Sequence, residues 1–383
     1  MWYNAIKYNY KVMIYNPFCY GKTVDGPFFY GRDRELEEIK LSMRNATNLI
    51  MYSPRRTGKS SLVIKALKDL EAEGHPTVYI DFFKVSSREK FIELYAREVV
   101  RPLKNWTKGL QWIQGLIRGI QPAMGLDQSG LPELRLSIDP TQTAMAFEDI
   151  INLPAKSKHE KCWIVAFDEF QEIEKLNGES FEKELRASFQ HHHNVSYLFL
   201  GSQRHLLWNM FSRKERAFYK FGKLYHLQKP SEKETLAFIE ERFASGGYPV
   251  SEELSRKILD QTHNIPYYVQ YLSAEIWEYA RLSSKMPGDI YQEAMERLLI
   301  NQADYFQGIR SQLTAFQVKL LSAVAQHGFG SYESAFMQKY RLYPTSSVQK
   351  AFKRMIDLDI LEKQDNQLVM TDPFFQVWLN GQM

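Results

Sequence analysis

The organised part of the chain opens with apolar residues spaced three and four apart. In "GRDRELEEIKLSMRN", Leu36, Ile39 and Met43 share one face of a predicted helix. The next stretch, "NLIMY" (48–52), is rich in apolar residues and predicts a short buried strand. Helical spacing returns in "SSLVIKALKDLEAEG" through Leu62, Ala66, Leu67 and Leu70, until Gly74 stops it. A second strand is predicted over "TVYIDFF" (77–83), then a helix over 86–104 and a less regular insertion over 105–142. A helix near 141–152 precedes the strongly apolar strand "CWIVAF" (162–167), closed by Asp168 and Glu169. A helix at 179–190 and strands "SYLFLGS" (196–202) and "KLYHLQ" (223–228) continue the alternation. Strands alternating with helices predict a parallel sheet covered on both faces.

From residue 231 the strand pattern stops. Ser231 and Glu234 fit the Ser-x-x-Glu box that caps a helix start. Helices are predicted near 251–263, 266–282 and 288–308, forming a helical subdomain. Further helices at 313–326, 331–340 and 345–358 precede two short strands, "ILEKQ" and "QLVMT", around Asp365-Asn366. Three helices and a two-stranded wing describe a winged helix. The expected organisation is an N-terminal extension (1–27), an α/β core (28–230), a helical subdomain (231–310) and a winged helix (311–383).

Composition narrows the setting. The 383 residues suffice for two or three domains, and 44% hydrophobic with 25% charged residues is ordinary for a globular protein. A net charge of +4 is small for this length, so charge alone implies no polyanion partner. Cys19 and Cys162 match no metal or redox spacing and favour a reducing compartment. No apolar run reaches the roughly 18 residues that span a bilayer, so no membrane partner is expected. The aromatic, polar start "MWYNAIKYNYKVMIYNPF" lacks a signal-peptide core, which makes cytoplasmic the expected location. Met1 and Met13 both remain open as the start of translation.

The chemistry concentrates in "SPRRTGKSS", between a predicted strand and a predicted helix. A strand-to-helix turn points several backbone N–H groups at one anion, and the helix dipole adds positive potential there. The loop Ser53-Pro54-Arg55-Arg56-Thr57-Gly58-Lys59-Ser60-Ser61 therefore reads as a phosphate loop for ATP. Lys59 would reach the β- and γ-phosphates, and Ser60 would ligate Mg2+. Ser53 stands where such a loop opens with glycine, and would hold an unusual backbone angle at a cost of about 1 kcal/mol. A second Gly-Lys-Thr, Gly21-Lys22-Thr23, has no earlier glycine at the right spacing and Pro27 soon after it; it reads as a turn.

A phosphate loop requires an acidic partner on a neighbouring strand, and "CWIVAFDEF" supplies it. Asp168 would hold Mg2+ through water and Glu169 would orient the attacking water. Ser202, ending the next strand, is placed as a polar sensor of the γ-phosphate, with Gln203 or a simple strand cap as alternatives. Arg55 and Arg56 fit phosphate contact, a partner or, more simply, solvated loop positions. His191-His192-His193 reads as a helix end, because consecutive residues seldom converge on one ion.

With these elements in order, the chain resembles the archaeal-type ATPases of the STAND branch of AAA-like P-loop proteins. The resemblance spans roughly 16–380 and rests on "NPFCYGKTVDGPFFYGRDREL", "SPRRTGKSSL", "IVAFDEFQEI", "LFLGSQR", "NIPYYVQ" and "TDPFFQVWL". It implies a P-loop NTPase core, a helical lid and a winged helix. It also implies that Gly31-Arg32 lies near the adenine and that Pro266, in Asn264-Ile265-Pro266, approaches the nucleotide from the lid. Three departures stand out: Ser53 for the first loop glycine, Asn264 for the lid glycine, and Lys220 and Lys223 where relatives often carry arginine. Arg204, Arg213 or Arg216 would then have to stabilise transition-state charge.

The leading expectation is a magnesium-dependent ATPase acting as a conformational switch, with nucleotide between core and lid and the winged helix reporting to a protein partner. The alternatives are a nucleotide-controlled DNA-binding regulator and a slowly hydrolysing scaffold; a homo-oligomer is left open. The helix "TSSVQKAFKRMIDL" carries Lys350, Lys353 and Arg354, yet residues 313–383 hold seven Lys/Arg against six Asp/Glu. Protein docking is therefore at least as well supported as DNA binding.

Overall fold

The computed structural model describes residues 15–102, 120–126, 132–138, 143–157, 159–284, 289–327, 334–340, 342, 345–364 and 367–381. The chain divides into two compact units, Thr23–Pro230 and a second made of Met1–Lys22 with Ser231–Met383.

The strands of the first unit are β1 (Leu49–Tyr52), β2 (Thr77–Asp81), β3 (Ile120–Leu126), β4 (Pro132–Ile138), β5 (Trp163–Asp168), β6 (Val195–Gly201) and β7 (Lys223–His226). Five of them build one parallel sheet in the order β2-β5-β6-β1-β7. The insertion expected to be less regular instead contains an antiparallel pair, β3 with β4. Pro122 and Gly125 obscure β3 in the sequence, whereas Leu134, Leu136 and Ile138 of β4 do alternate with polar residues in a run too short to stand out alone. The remainder of that insertion lies outside the described residues.

Side-chain alternation sorts the sheet into two cores. Trp163, Val165 and Phe167 of β5 join Tyr197 and Phe199 of β6 in an aromatic-rich cluster. Ile164 and Ala166 point the other way, with Leu198, Leu200, Leu49 and Met51, into an aliphatic one. Burial on both faces is why these strands read as unbroken apolar runs. Helices α1 (Asp33–Arg44) and α2 (Lys59–Ala72) cover the aliphatic face through Leu36, Ile39, Met43, Leu62, Leu67 and Leu70. The aromatic face takes α3 (Arg88–Val100), α4 (Thr143–Ile151), α5 (Gly178–Phe189) and α6 (Arg204–Ser212). Phe167 sits centrally there, 5.7 Å from Phe82 and 5.6 Å from Phe199 between ring centroids. Truncating it to alanine would cost about 3–5 kcal/mol.

The second unit contains α7 (Glu232–Ser245), α8 (Glu252–Gln261), α9 (Pro266–Ser283) and α10 (Ile290–Ser311). The Ser231 and Glu234 capping box forms in both directions at the start of α7. Next come α11 (Ala315–His327), α12 (Ser334–Lys339), α13 (Thr345–Asp357), the antiparallel pair β8 (Leu361–Gln364) and β9 (Gln367–Met370), and α14 (Pro373–Gly381). This is the predicted winged-helix order with an added terminal helix; Asp365-Asn366 lies outside the described residues. α14 fastens the wing to the helical segment: Phe374 packs edge-on to Tyr268, and Phe375 stacks on Phe306. Phe18 inserts against Phe238 and Phe243, which ties residues 15–22 to this unit. Among the described residues, no helix is long and apolar enough to cross a membrane.

Candidate functional site

The carboxyl ends of β1, β5 and β6 lie side by side, and the loop after β1 runs directly into α2. Gly58 caps that helix in the left-handed region, at φ 89°. A Cβ there would meet nothing within 4 Å, so glycine serves the backbone angle rather than a tight space. The other left-handed residue of the loop is Arg56, at φ 68°, and not Ser53. The strain expected at Ser53 is thus absent, which explains why glycine is dispensable there. Ser53 is fully buried, and its Oγ lies 2.6 Å from Thr57 Oγ1, closing the loop across its base. Thr57 Oγ1 also donates to Pro54 O at 2.9 Å.

Lys59 opens α2 and is buried; its Nζ donates to Ser53 O at 3.1 Å and to Pro54 O at 3.3 Å. The ammonium therefore lies under the loop's own carbonyls, where a phosphate would compete for it. Ser60 Oγ donates to Asp168 Oδ2 at 2.7 Å. Ser61 turns its hydroxyl elsewhere, accepting from Val24 N at 3.1 Å. What Ser61 can offer an anion is its backbone N–H, one of the first of α2, which find no carbonyl within a helix.

Asp168 ends β5 and is 4% exposed. Besides Ser60, its Oδ2 accepts from Tyr79 OH at 2.5 Å, and its Oδ1 accepts from Glu169 N at 2.9 Å. Tyr79 comes from the neighbouring strand β2, in the register that sets Asp81 beside Asp168. Burial, then the Asp168 charge, push the Tyr79 phenol well above its ordinary range, so it acts here as a donor. Burial also raises the Asp81 carboxyl, with Asp168 and Glu169 adding repulsion. Tyr79 was not singled out from the sequence; its signal is a hydroxyl two residues before an acidic strand end.

Glu169 follows in the left-handed region, at φ 50°. Its Oε2 accepts from Ser202 Oγ at 2.7 Å, Ser202 N at 3.1 Å and Gln171 Nε2 at 2.5 Å. Arg55 Nε reaches Ser202 Oγ at 3.4 Å. The structure thus brings Lys59, Ser60, Asp168, Glu169 and Ser202 together, and Gln171 joins them unforeseen. Gln203 sits one residue on, at the start of α6, with no side-chain capping bond.

Gly31 is left-handed at φ 59°, and Arg32 follows it almost fully buried. Arg32 donates to Thr57 O at 3.1 Å, Gln228 O at 2.6 Å and Glu35 Oε1 at 2.8 Å. Its guanidinium consequently braces the phosphate loop from behind. Pro266 belongs to the second unit, where it begins α9. Asn264 adopts φ 54° and accepts from Thr235 Oγ1 at 2.7 Å. Asparagine tolerates that angle better than other side chains, which accounts for its standing in for glycine.

Other candidates fall away from this site. Gly21-Lys22-Thr23 is a bend followed by a single 3-10 turn, Gly26–Phe28, not a helix. His192 is buried between Tyr197 OH and Asn152 Oδ1, while His191 and His193 are exposed. Arg216 is held by Glu182 and Glu174, and Arg204 lies over the Tyr52 ring. Arg213 is exposed, Lys220 lies over Tyr219, and Lys223 begins β7. No group of three His, Cys, Asp or Glu is placed to hold a metal among the described residues. A Mg2+ bound largely by phosphate needs only one or two protein ligands, and the Ser60 hydroxyl beside the Asp168 carboxylate fits that donor set.

A parallel sheet with a Gly-Lys-Ser loop at the carboxyl end of the interior strand β1, facing an Asp-Glu pair, defines the P-loop ATPase class of α/β proteins. The chain belongs to the family described as "ATPase domain predominantly from Archaea", whose model matches residues 29–272. Residues 304–381 match the model of a "probable winged helix domain". Among solved structures, a Walker-type ATPase of Pyrococcus abyssi shares 16% identity at a TM-score of 0.63, covering 92% of this chain and 96% of that one. The ORC2 protein of Aeropyrum pernix, in ADPNP–ADP complexes, shares 13% identity at a TM-score of 0.55, covering 91% and 93%. No curated protein matches the chain in sequence.

Proposed function

We propose that the protein is a magnesium-dependent ATPase whose nucleotide state acts as a conformational switch. The observation that carries this reading is the 2.7 Å bond between Ser60 of the phosphate loop and Asp168 at the end of β5. It sets a metal-binding pair beside the buried Lys59 and the Glu169 carboxylate. Lys59 and the first N–H groups of α2 hold the phosphates, Glu169 orients water, and Ser202 senses the terminal phosphate. Ser60 and Asp168 would hold Mg2+, which would supply neutralisation of phosphate charge. The ADPNP–ADP complexes of the Aeropyrum relative and the order of the motifs support the same reading, and the motif order favours the STAND branch of AAA-like proteins. With Arg216 and Arg204 engaged elsewhere, we expect slow turnover.

The winged helix gives the switch its outlet. Lys350, Lys353 and Arg354 are exposed on α13, while Val348, Phe352 and Met355 are buried in the module's own core. That basic face suits an acidic protein partner, or duplex DNA as the alternative. Steady-state phosphate release, measured with and without duplex DNA, separates the readings. Magnesium-dependent turnover unaffected by DNA is expected; stimulation by DNA favours the regulator. No turnover together with no ATP affinity would sink both.

A further inference from the structure

Glu169 carries an unusual load of hydrogen bonds on one atom. Three donors, Ser202 Oγ, Ser202 N and Gln171 Nε2, converge on Oε2, more than the two lone pairs of one carboxylate oxygen accommodate ideally. Gln171 is 2% exposed, and its Oε1 is buried with no hydrogen-bond partner. A buried amide oxygen left without a donor is a cost to the fold. Flipping the amide would not relieve it, since oxygen would then face the Glu169 carboxylate. Room for this amide exists only because residue 201 is glycine: a Cβ there would lie 2.4 Å from Gln171 Oε1. Glu169 itself holds a left-handed backbone angle, a second cost at the same place.

We propose that Gln171 is a positioning residue that parks Glu169 against Ser202, and that the single hydroxyl proton of Ser202 works the release. The inference rests on the ATPase reading above. A serine hydroxyl donates one hydrogen bond. While that proton serves Glu169 Oε2, it cannot serve a phosphate oxygen, so sensing the phosphate and freeing Glu169 are one event. Arg55, extending from the phosphate loop to Ser202 Oγ, puts the incoming phosphate charge within reach of the same hydroxyl. When phosphate takes the Ser202 proton, Oε2 loses a donor and Glu169 swings toward water, with Gln171 setting how hard it is to leave. Glu169 is thereby kept from acting until nucleotide is fully seated.

The experiment compares full-length wild type with Gln171→Leu, which removes the donor at similar volume, and with Gln171→Met as a second variant should the first not fold. Expected is a kcat increase of about three- to tenfold with KM and the calorimetric ATP affinity unchanged, as follows from losing one charge-assisted bond in the parked state only. In a Glu169→Gln background the same substitution should leave single-turnover hydrolysis unchanged, because the water-orienting carboxylate whose release it delays has gone; a merely structural glutamine would act in both backgrounds. A folded variant with kcat at or below wild type, or an equal effect in both backgrounds, overturns the proposal. Wild type that fails to bind ATP would instead refute the ATPase reading itself.

Discussion

The two ends of the central sheet are both rich in buried polar side chains, yet they differ in charge. At the amino end, His192 meets Tyr197 OH at 2.6 Å and Asn152 Oδ1 at 2.7 Å, and Ser196 Oγ donates to Thr47 O at 2.8 Å. Asn48 accepts from Tyr197 N and donates to Phe221 O. These groups are neutral: burial pushes the His192 imidazole down to about 4. At the carboxyl end, Lys59 and Asp168 are as deeply buried but ionisable, and Glu169 stands beside them. A neutral network whose donors meet acceptors stabilises the fold and is complete. Burying a charge costs far more than burying an amide, so a cluster of them is retained where a ligand of opposite charge repays it. What distinguishes the site is therefore charge at the strand ends where α/β sheets bind ligands, not the number of buried polar atoms.

That contrast can be broken by substitutions at either end. Glu169→Gln should reduce hydrolysis by about 10²-fold or more while ATP affinity stays near wild type, the usual range for losing a water-activating group. Rapid-quench turnover beside equilibrium binding checks both halves, and equal losses in the two would refute the assigned role. Asp168→Asn should weaken the dependence on Mg2+ by about tenfold, in line with loss of one charged contact of about 1.5 kcal/mol. A magnesium titration of turnover that superimposes on wild type would remove Asp168 from the metal site.

At the amino end the effects should be on stability alone. His192→Phe should cost about 1–3 kcal/mol by leaving Tyr197 OH and Asn152 without their partner, with ATP affinity unchanged. The folded-state value of His192 lies below the ordinary imidazole value, so protonation favours the unfolded chain. Its stabilisation is complete above about pH 6.5 and is lost as pH falls toward 4. Thermal unfolding across that window should therefore slope more steeply for wild type than for His192→Phe; parallel curves would contradict the burial. The smallest effect is expected for Ser53→Gly, which removes a hydroxyl that meets Thr57 Oγ1 and Pro54 O at a position without a positive φ. About 1 kcal/mol of stability should be lost and ATP affinity should stay within about threefold; a large gain in affinity would return the strain to Ser53.

Much of this was legible along the chain. The interior strands of the sheet are mostly apolar runs, such as Trp163 to Phe167, and the helices show spaced apolar residues, so local pattern and tertiary burial agree there. Lys59, Ser60, Asp168 and Glu169 were found for the same reason: each sits at the end of an element that the pattern delimits. The β3–β4 pair escaped because its strands carry Gly and Pro and lie off the main sheet. α14 is too short, and too uniformly apolar, to show a helical period. Tyr79 and Gln171 escaped for a different reason. Their roles come from neighbours brought close by strand register and by the space at Gly201, and no spacing along the sequence encodes either contact.

In the proposed function, the carboxyl end of the sheet binds ATP through Lys59. Isothermal titration of ATP into wild type and Lys59→Ala, each in Mg2+ and in excess chelator, tests it most directly. One ATP should bind per wild-type chain, more tightly with Mg2+. Binding should be about 100-fold weaker in a Lys59→Ala protein that keeps its thermal transition, since a charge-assisted phosphate contact is worth about 3 kcal/mol. Equal affinity in the two proteins would contradict it.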